Sequence, residues 1–527
     1  MIERVVENWL INANERQYQI PFCQVLAAEG ETVKYISPHG VMEQGKDVIT
    51  EGTDGSIRAY QLKNGKITLK KWREFKGEID ELVELPISHP SVHSKKPHQP
   101  FLVTNGIVAD TVITRIDSAN KIWKKHNPKA LRLIQGNELI SRFVKAHGSF
   151  MPRHPKQFGK FLELIAGAGR DPFDKEKFSS FLESILTIEG KGIVSGREAA
   201  RLISSAVLLT SIIVQGCERE DNHWAVFEAW TVTASYILAI ASKNAITEKW
   251  WSVSFDLCET AATRALEGLC TECAENKTHF TQGDPFTDGT FTPMRVIVIA
   301  GTLSALSLYH RLRREQWKGE SFLQDFLVRY LPNNGIWGES AAPYITMAAL
   351  ELEQHGIHTS SERLIGQFLN MILKINEVKG RGLPNTYYEP ESAYRLLSGM
   401  DRYNSEIFYG SSYVAESLVE FLARRLLRRM IAYFWESITH IDFVWFRPEM
   451  DWEWFRWRAE SGSLESRMPN MPQSWTALLD AAENGKPDVP ELLRARPWFA
   501  PLFCIVFPHR FGVGLLRLIE CSIREIR

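Results

Sequence analysis

Hydrophobic positions recur with two different periods along this chain, and the change of period divides it. Between residues 3 and 28, Val6, Leu10, Phe22, Val25 and Leu26 recur at helical intervals. Pro21 should break or restart that helix, because proline lacks an N–H and its ring clashes with the preceding turn. The pattern then turns extended. Residues 32–37 and 42–50 predict strands, followed by a turn-rich stretch at 51–55. In residues 56–63, Ile57, Ala59, Gln61 and Lys63 alternate with Arg58, Tyr60 and Leu62, the period of a strand. Asn64-Gly65 is a two-residue hairpin signal with 66–70 as the returning strand. A helix over 72–85, a loop rich in Pro, His and Ser over 86–100 and an apolar strand over 101–104 follow. A helix over 109–125, a strand over 131–134 and a helix capped by Asn137 close the region. This order predicts an α/β domain built on a mixed sheet.

Residues 151–159, with prolines, a histidine and a glycine, predict a linker, so domains are expected at 1–148 and 160–527, with room for a further division near 380–400. Beyond the linker the texture is mostly α-helical. Helices are expected over 198–214, 224–242, 255–271, 293–314, 341–355, 360–375 and 414–434, and no fixed-period repeat is visible. The apolar runs 202–214 and 296–308 fall short of the roughly 18–20 residues a membrane span needs, so they are expected to be buried helices and no membrane is expected. Trp445, Trp452, Trp454 and Trp457 in the final third are expected to pack in cores and between domains.

Composition adds class rather than fold. At roughly 150 residues per domain, 527 residues suggest two to four domains, and 44% hydrophobic residues exclude general disorder. Seven scattered cysteines make no disulfide framework and fit a reducing, cytoplasmic setting. The acidic N-terminus lacks the apolar core of a secretory signal. The net charge of −1 conceals an asymmetry. Residues 1–160 hold 24 Lys+Arg against 17 Asp+Glu, while the remainder of the 62 and 63 leaves 38 against 46. Residues 115–160 alone carry 11 basic residues and two acids. Such a field favours a polyanionic partner through counterion release and steering.

One cluster carries chemistry. Asp47 closes one strand in Gly45-Lys46-Asp47, and fourteen residues later the next strand carries Gln61-Leu62-Lys63. Two-residue spacing puts Gln61 and Lys63 on one face, and pairing of the two strands would bring Asp47 beside them. A carboxylate, an amide oxygen and an ammonium together would hold a hard divalent cation next to a phosphate, with Lys63 positioning water or stabilising developing charge.

Glu15 in the first helix, Gly45-Lys46-Asp47 and Gln61-Leu62-Lys63 on a strand resemble the PD-(D/E)XK restriction-endonuclease-like superfamily. The closest pattern is its Mrr-like branch, in which glutamine replaces the acid of the last pair. The strand Phe101-Leu-Val-Thr-Asn-Gly106 is similar to the core strand behind the active site of those nucleases. The resemblance covers about residues 1–145. It implies an endonuclease-like fold and a Mg²⁺- or Mn²⁺-dependent nuclease acting on double-stranded DNA. It also implies that Asp47 is the principal metal ligand, Lys63 the catalytic lysine, Gln61 an oxygen donor and Glu15 a second carboxylate. Two departures matter: no proline precedes Asp47, and Gln61 leaves one metal charge to come from Glu15 or from Glu43, which strand alternation puts on the Asp47 face.

Lys46, Lys66, Lys121, Lys124 and Lys125 are the candidates for phosphate contact. Such contacts position a duplex without reading its sequence. The acidic helical region is expected to form a homo-oligomer, bind a partner protein or sense a signal that releases cleavage. By analogy of architecture, the setting would be prokaryotic restriction or antiphage defence. The rivals are RNA cleavage, a silenced nucleic-acid-binding module and a scaffold subunit. Cys270, Cys273 and His279 lack a second pair at zinc spacing. His89, His93 and His98 fall in the Pro/Ser-rich loop and are expected in solvent. Neither a Walker motif nor G-x-G-x-x-G nor G-x-S-x-G occurs, which argues against nucleotide hydrolysis and an α/β-hydrolase.

Overall fold

In the computed structural model the chain starts with two helices, not one. Helix α1 (Ile2–Asn12) stops before Asn14, whose side chain caps α2 (Glu15–Ala28) in a reciprocal capping box with Gln17. The cap satisfies amide donors that a helix start otherwise leaves open, so the break lies there, and Pro21 sits inside α2. The structure describes residues 2–37, 45–52, 54–87, 92, 97–147, 155–169, 173–186, 194–276, 291–331, 336–379, 381–401, 409–459, 461–469 and 474–526. The chain separates into two compact units, Met1–Arg264 and Ala265–Arg527.

The first unit is built on a mixed five-stranded sheet of order β1-β2-β3-β4-β5. Its strands are β1 (Thr32–Ile36), β2 (Val48–Glu51), β3 (Ile57–Lys63), β4 (Gln99–Thr104) and β5 (Arg132–Ile134). The first three pair antiparallel, and β4 and β5 add on in parallel. The expected hairpin at Asn64-Gly65 does not form. Ile67 bridges to Val108 instead, and the chain enters α3 (Leu69–Glu84), whose start is capped by Thr68. A parallel neighbour needs a crossover, and α3 supplies it. After β4, α4 (Asp110–Trp123) makes the second crossover.

Alternation along β3 divides two cores. Ala59 faces α3 and α4, in a cluster with Trp72, Ile79, Leu82, Leu102, Val112 and Ile116. Tyr60 faces the other way, edge-on to Phe22 of α2 and stacked on Phe101. On that second face α1 meets α5 (Gly136–His147) through Trp9 and Phe143.

Five more helices complete the unit. They are α6 (Pro155–Gly167), α7 (Lys175–Leu186), α8 (Gly196–Arg219), α9 (His223–Lys243) and the first half of α10 (Ser252–Glu275). Half of the expected linker is therefore helix, and the unit boundary falls far beyond it. The physical reason is packing: α8 lies against α2, and buried Gln24 of α2 accepts from Ser204 of α8 (3.3 Å) and Ser254 of α10 (2.9 Å).

In the second unit the helices include α11 (Phe291–Leu312), α12 (Glu320–Tyr330), α13 (Ala342–Gln354), α14 (His358–Glu377), α15 (Pro390–Leu397), α16 (Ala415–Arg424) and α17 (Arg428–Ile438), with four more after the small sheet. The single helix expected over 414–434 is split, with Leu426 at φ +59° in the break. A small sheet of β6 (Ser411–Ser412), β7 (Asp442–Pro448) and β8 (Gly462–Arg467) was not anticipated from the helical texture. Within this unit Trp454 stacks on Phe503, and Trp457 packs on Phe507 and His509.

Helices α8, α9 and α11 are each long and apolar enough to cross a membrane by length and composition, which corrects the shorter runs read from sequence. Their apolar windows are 78, 94 and 78% buried by the protein itself.

Candidate active site

Strand pairing brings the sequence-predicted trio together. Val48 lies opposite Tyr60, and the Asp47 amide donates to the Tyr60 carbonyl (2.9 Å), so Asp47 sits across from Gln61. Its carboxylate Oδ2 accepts from the Leu62 amide at 2.6 Å. Its carbonyl accepts from the Ser37 amide (2.8 Å) and from Nε2 of Gln19 on α2 (3.2 Å). The aspartate is thus held from three directions and is buried.

Gly45 sets the approach. Its φ is +68°, and a Cβ there would lie 2.0 Å from the Glu78 carbonyl oxygen. Only glycine lets the backbone press against α3 at this point.

Gln61 and Lys63 share the α3 face of β3, as their spacing requires, and both meet Glu78 of α3. Its Oε2 accepts from Lys63 Nζ at 2.7 Å and from Gln61 Nε2 at 3.3 Å. Gln61 Oε1 is buried with no hydrogen-bond partner, which leaves an oxygen donor unused. Lys63 also lies 5.2 Å from the Phe75 ring centroid. Burial pushes the Lys63 pKa down, but the Glu78 hydrogen bond and the charges of Glu15, Glu78 and Asp47 outweigh it, and the net shift is upward. Lys63 is therefore an ammonium at neutral pH. Glu15 completes the rim, with Oε1 3.2 Å from the Asn64 amide. Burial, then the charges of Glu15 and Asp47, hold the nearby Tyr18 hydroxyl well above its ordinary pKa. Tyr18 donates to the Lys63 carbonyl (2.9 Å).

The site has a buried floor, Asp47 and Gln61, and a more open rim. The Lys63 side chain is 14% exposed and that of Glu78 49%. Three carboxylates against one ammonium leave a formal charge of −2. The donors are all oxygens, the set that suits a hard divalent cation such as Mg²⁺. Asp47, Gln61 Oε1, Glu78 and Glu15 line the site, but among the described residues its three carboxylates do not form a group with ligand atoms all within 4.8 Å of one another, so a cation would have to draw them together.

Other candidates are placed elsewhere. Glu43 lies outside the described residues. Lys46 is not a phosphate contact as it stands: it is buried, its Nζ donates to the Glu81 carbonyl (3.3 Å), and burial lowers its pKa to about 8. Lys66 is exposed at the site's end of the sheet, beside Gly65, whose amide donates to Asn105. Lys121, Lys124 and Lys125 are exposed but lie at the sheet's other end. Asn127, just past α4, bonds the Val83 and His98 carbonyls at the entry of β4, whereas Lys63 pairs with Thr104 at its exit. Six strand residues, about 20 Å, separate the two ends.

His98 is buried rather than in solvent. It donates from Nε2 to the Leu82 carbonyl (2.7 Å), and burial lowers its pKa to about 4. His89, His93 and His279 lie outside the described residues. Cys270 and Cys273 are buried thiols with pKa pushed up to about 11 and about 12 by burial, unlike metal-bound thiolates.

Glu78 is the residue that sequence reasoning missed. A faint signal existed, since it falls three residues after Phe75 and four before Leu82, at the edge of the stripe that α3 buries. A second cluster, Glu320, Glu351 and His355, brings its ligand atoms within 4.8 Å of one another. Arg311 already bridges its acids, at 2.7 Å from Glu320 and 3.7 Å from Glu351. His355, its pKa raised chiefly by the Glu351 hydrogen bond, lies 3.1 Å from the same carboxylate. Arg311 and Ser307 therefore already occupy acid oxygens of this cluster.

No protein-family model, curated protein or solved structure matches this chain.

Proposed function

We propose that this chain is a metal-dependent nuclease that hydrolyses DNA phosphodiester bonds at the Asp47 site, with Mg²⁺ or Mn²⁺ as cofactor. One observation carries the reading: Asp47, Gln61 and Lys63 meet at adjoining strands, and Glu78 brings to them the acid that Gln61 lacks. The sheet, three antiparallel strands extended by two parallel ones, is mixed, as the α/β reading of the first 148 residues expects.

A bound divalent ion would supply Lewis acidity to the phosphate and lower the pKa of its water. The chain's own residues do the rest. Asp47 is oriented by the Leu62 amide and presents a fixed carboxylate. Lys63, being protonated, cannot act as the general base; it donates to a phosphate oxygen and stabilises the charge that develops as the bond to phosphorus breaks. Glu78 holds Lys63 on the site when substrate is absent. Lys66 lies where the phosphate backbone would leave the site.

By the same proposal the protein works in the cytoplasm as a restriction or antiphage effector, with its second unit forming a homo-oligomer or binding a partner. The test is cleavage of plasmid DNA and of RNA with Mg²⁺. Asp47→Ala and Lys63→Ala should each lower the rate at least ~100-fold, the scale of losing one preorganised electrostatic group. Equal cutting by both variants and wild type places the chemistry elsewhere. RNA cut in preference to DNA changes the substrate. Binding without cutting turns the site into a silenced module.

A further inference from the structure

We infer that the second unit carries a nucleotide-binding cleft between α14 and α17, a site distinct from the Asp47 centre and independent of the nuclease reading. The cleft holds about 360 Å³, within the range of small-ligand pockets. One wall is a single stripe of α14: Arg363, Gln367, Asn370 and Lys374 recur at steps of four, three and four residues and so share a face. The other wall is α17, which presents Tyr433 and Phe434. Gly366 lets the walls approach, because a Cβ there would lie 2.8 Å from the sulfur of Met430.

Three features of this cleft call for a ligand rather than for packing. First, Arg363 and Lys374 have no carboxylate partner among the described residues. Other arginines of the unit, among them Arg381, Arg428 and Arg429, also have none, so what marks the cleft is that Arg363 and Lys374 share one stripe with two amides beside an exposed ring. Second, Tyr433 is 79% exposed, the most exposed large apolar side chain among the described residues. Leaving so much aromatic surface in water forgoes the stabilisation that burial brings. Third, Gln367 and Asn370 place two amides, each both donor and acceptor, between the cations and beside the ring.

A planar heterocycle with a phosphate uses all three. The base stacks on Tyr433, the amides bond its edge, and the guanidinium of Arg363 takes the phosphate bidentately. Glu362, at the same end as Arg363, is placed to accept from sugar hydroxyls. Lys374 stands three turns away, about 16 Å along the axis, and adds positive field at the far end.

Isothermal titration of the full chain with AMP, GMP, CMP and UMP, and with the matching nucleosides, tests this. At least one monophosphate should bind saturably at one per chain, at least ~10-fold more tightly than its nucleoside. Arg363→Ala and Tyr433→Ala should each weaken that binding by roughly tenfold or more while circular dichroism stays that of wild type. Absence of binding by all four at millimolar concentration overturns the proposal. So does an affinity that neither substitution changes. Because the readout is binding, neither outcome bears on whether Asp47 and Lys63 cleave DNA.

Discussion

The ionisable groups of this chain take their chemistry from their neighbours. Lys46 and Lys63 stand seventeen positions apart on the same sheet. Burial drives Lys46 down to about 8, while Glu78 and the surrounding acids keep Lys63 charged. Nothing in the type of residue distinguishes them. The spacing of Gln61 and Lys63 was legible because alternation alone puts them on one face. Glu78 was not, because an acid on an amphipathic helix looks the same whether it meets water or a lysine fifteen residues back. Burial acts on Glu339 in the opposite sense from a salt bridge, raising its pKa from 4.5 to about 7. The folded chain then holds a proton that the unfolded chain has released, so this group's stabilisation is present below pH 4.5 and lost as pH rises through about 7. Glu339→Gln should keep the bond from the Tyr413 amide (3.0 Å) and flatten the fall in melting temperature across that window. Parallel pH profiles for the two proteins would refute it. Glu218, raised to about 7 by burial, adds a second slope of the same sign.

Elements depend on a few residues where two backbones touch. Gly45→Ala tests the closest such contact, since the substitution both strains a φ of +68° and drives a methyl into the Glu78 carbonyl. A loss of about 2–4 kcal/mol is expected from chemical denaturation, the scale of backbone strain plus overpacking. The proposed nuclease activity should fall with it, because the residue two positions on is Asp47. Asn105 ties a second junction. Its side chain donates to the carbonyls of Leu10 (2.5 Å) and Ala13 (2.8 Å) and accepts from the Gly65 amide (2.6 Å), joining α1, the end of β3 and the end of β4. Asn105→Ala removes three hydrogen bonds, two of them buried, and should cost about 2–3 kcal/mol in the same measurement. The positions of most strands and helices were visible in the sequence, and their ends were less so. Pro21 outranks Asn14 as a breaker on propensity, yet the cap at Asn14 decided the break. Asn64-Gly65 outranks everything nearby as a hairpin signal. The turn instead led into α3, because Ile67 found a parallel partner in Val108 that no local pattern shows.

At the scale of the whole molecule, the sheet and the helices α6 to α9 form one compact unit. A fragment of residues 1–148 should therefore lack the cooperative melt of a fragment of residues 1–275, because it exposes the face of α2 that α8 covers and leaves Gln24 without Ser204 and Ser254. Equal melting of the two fragments would show that the sheet stands alone. Helices α8, α9 and α11 show how composition misleads at this scale, since a helix apolar all round suits a protein interior as well as a bilayer. By itself the sequence determined most of the strands and helices in the first 148 residues, though not the split of the first helix or the absence of a strand at 66–70, together with the basic and acidic regions and the shared face of Gln61 and Lys63, all of which follow from periodicity and composition over short spans. Tertiary structure alone decided that Glu78 joins them, that Lys46 is buried, that Lys121, Lys124 and Lys125 stand at the sheet's far end and that the unit closes at Arg264. Each of those rests on contacts between segments distant along the chain, and hydrophobic burial, which selects them, has no period and no direction that a local pattern can record.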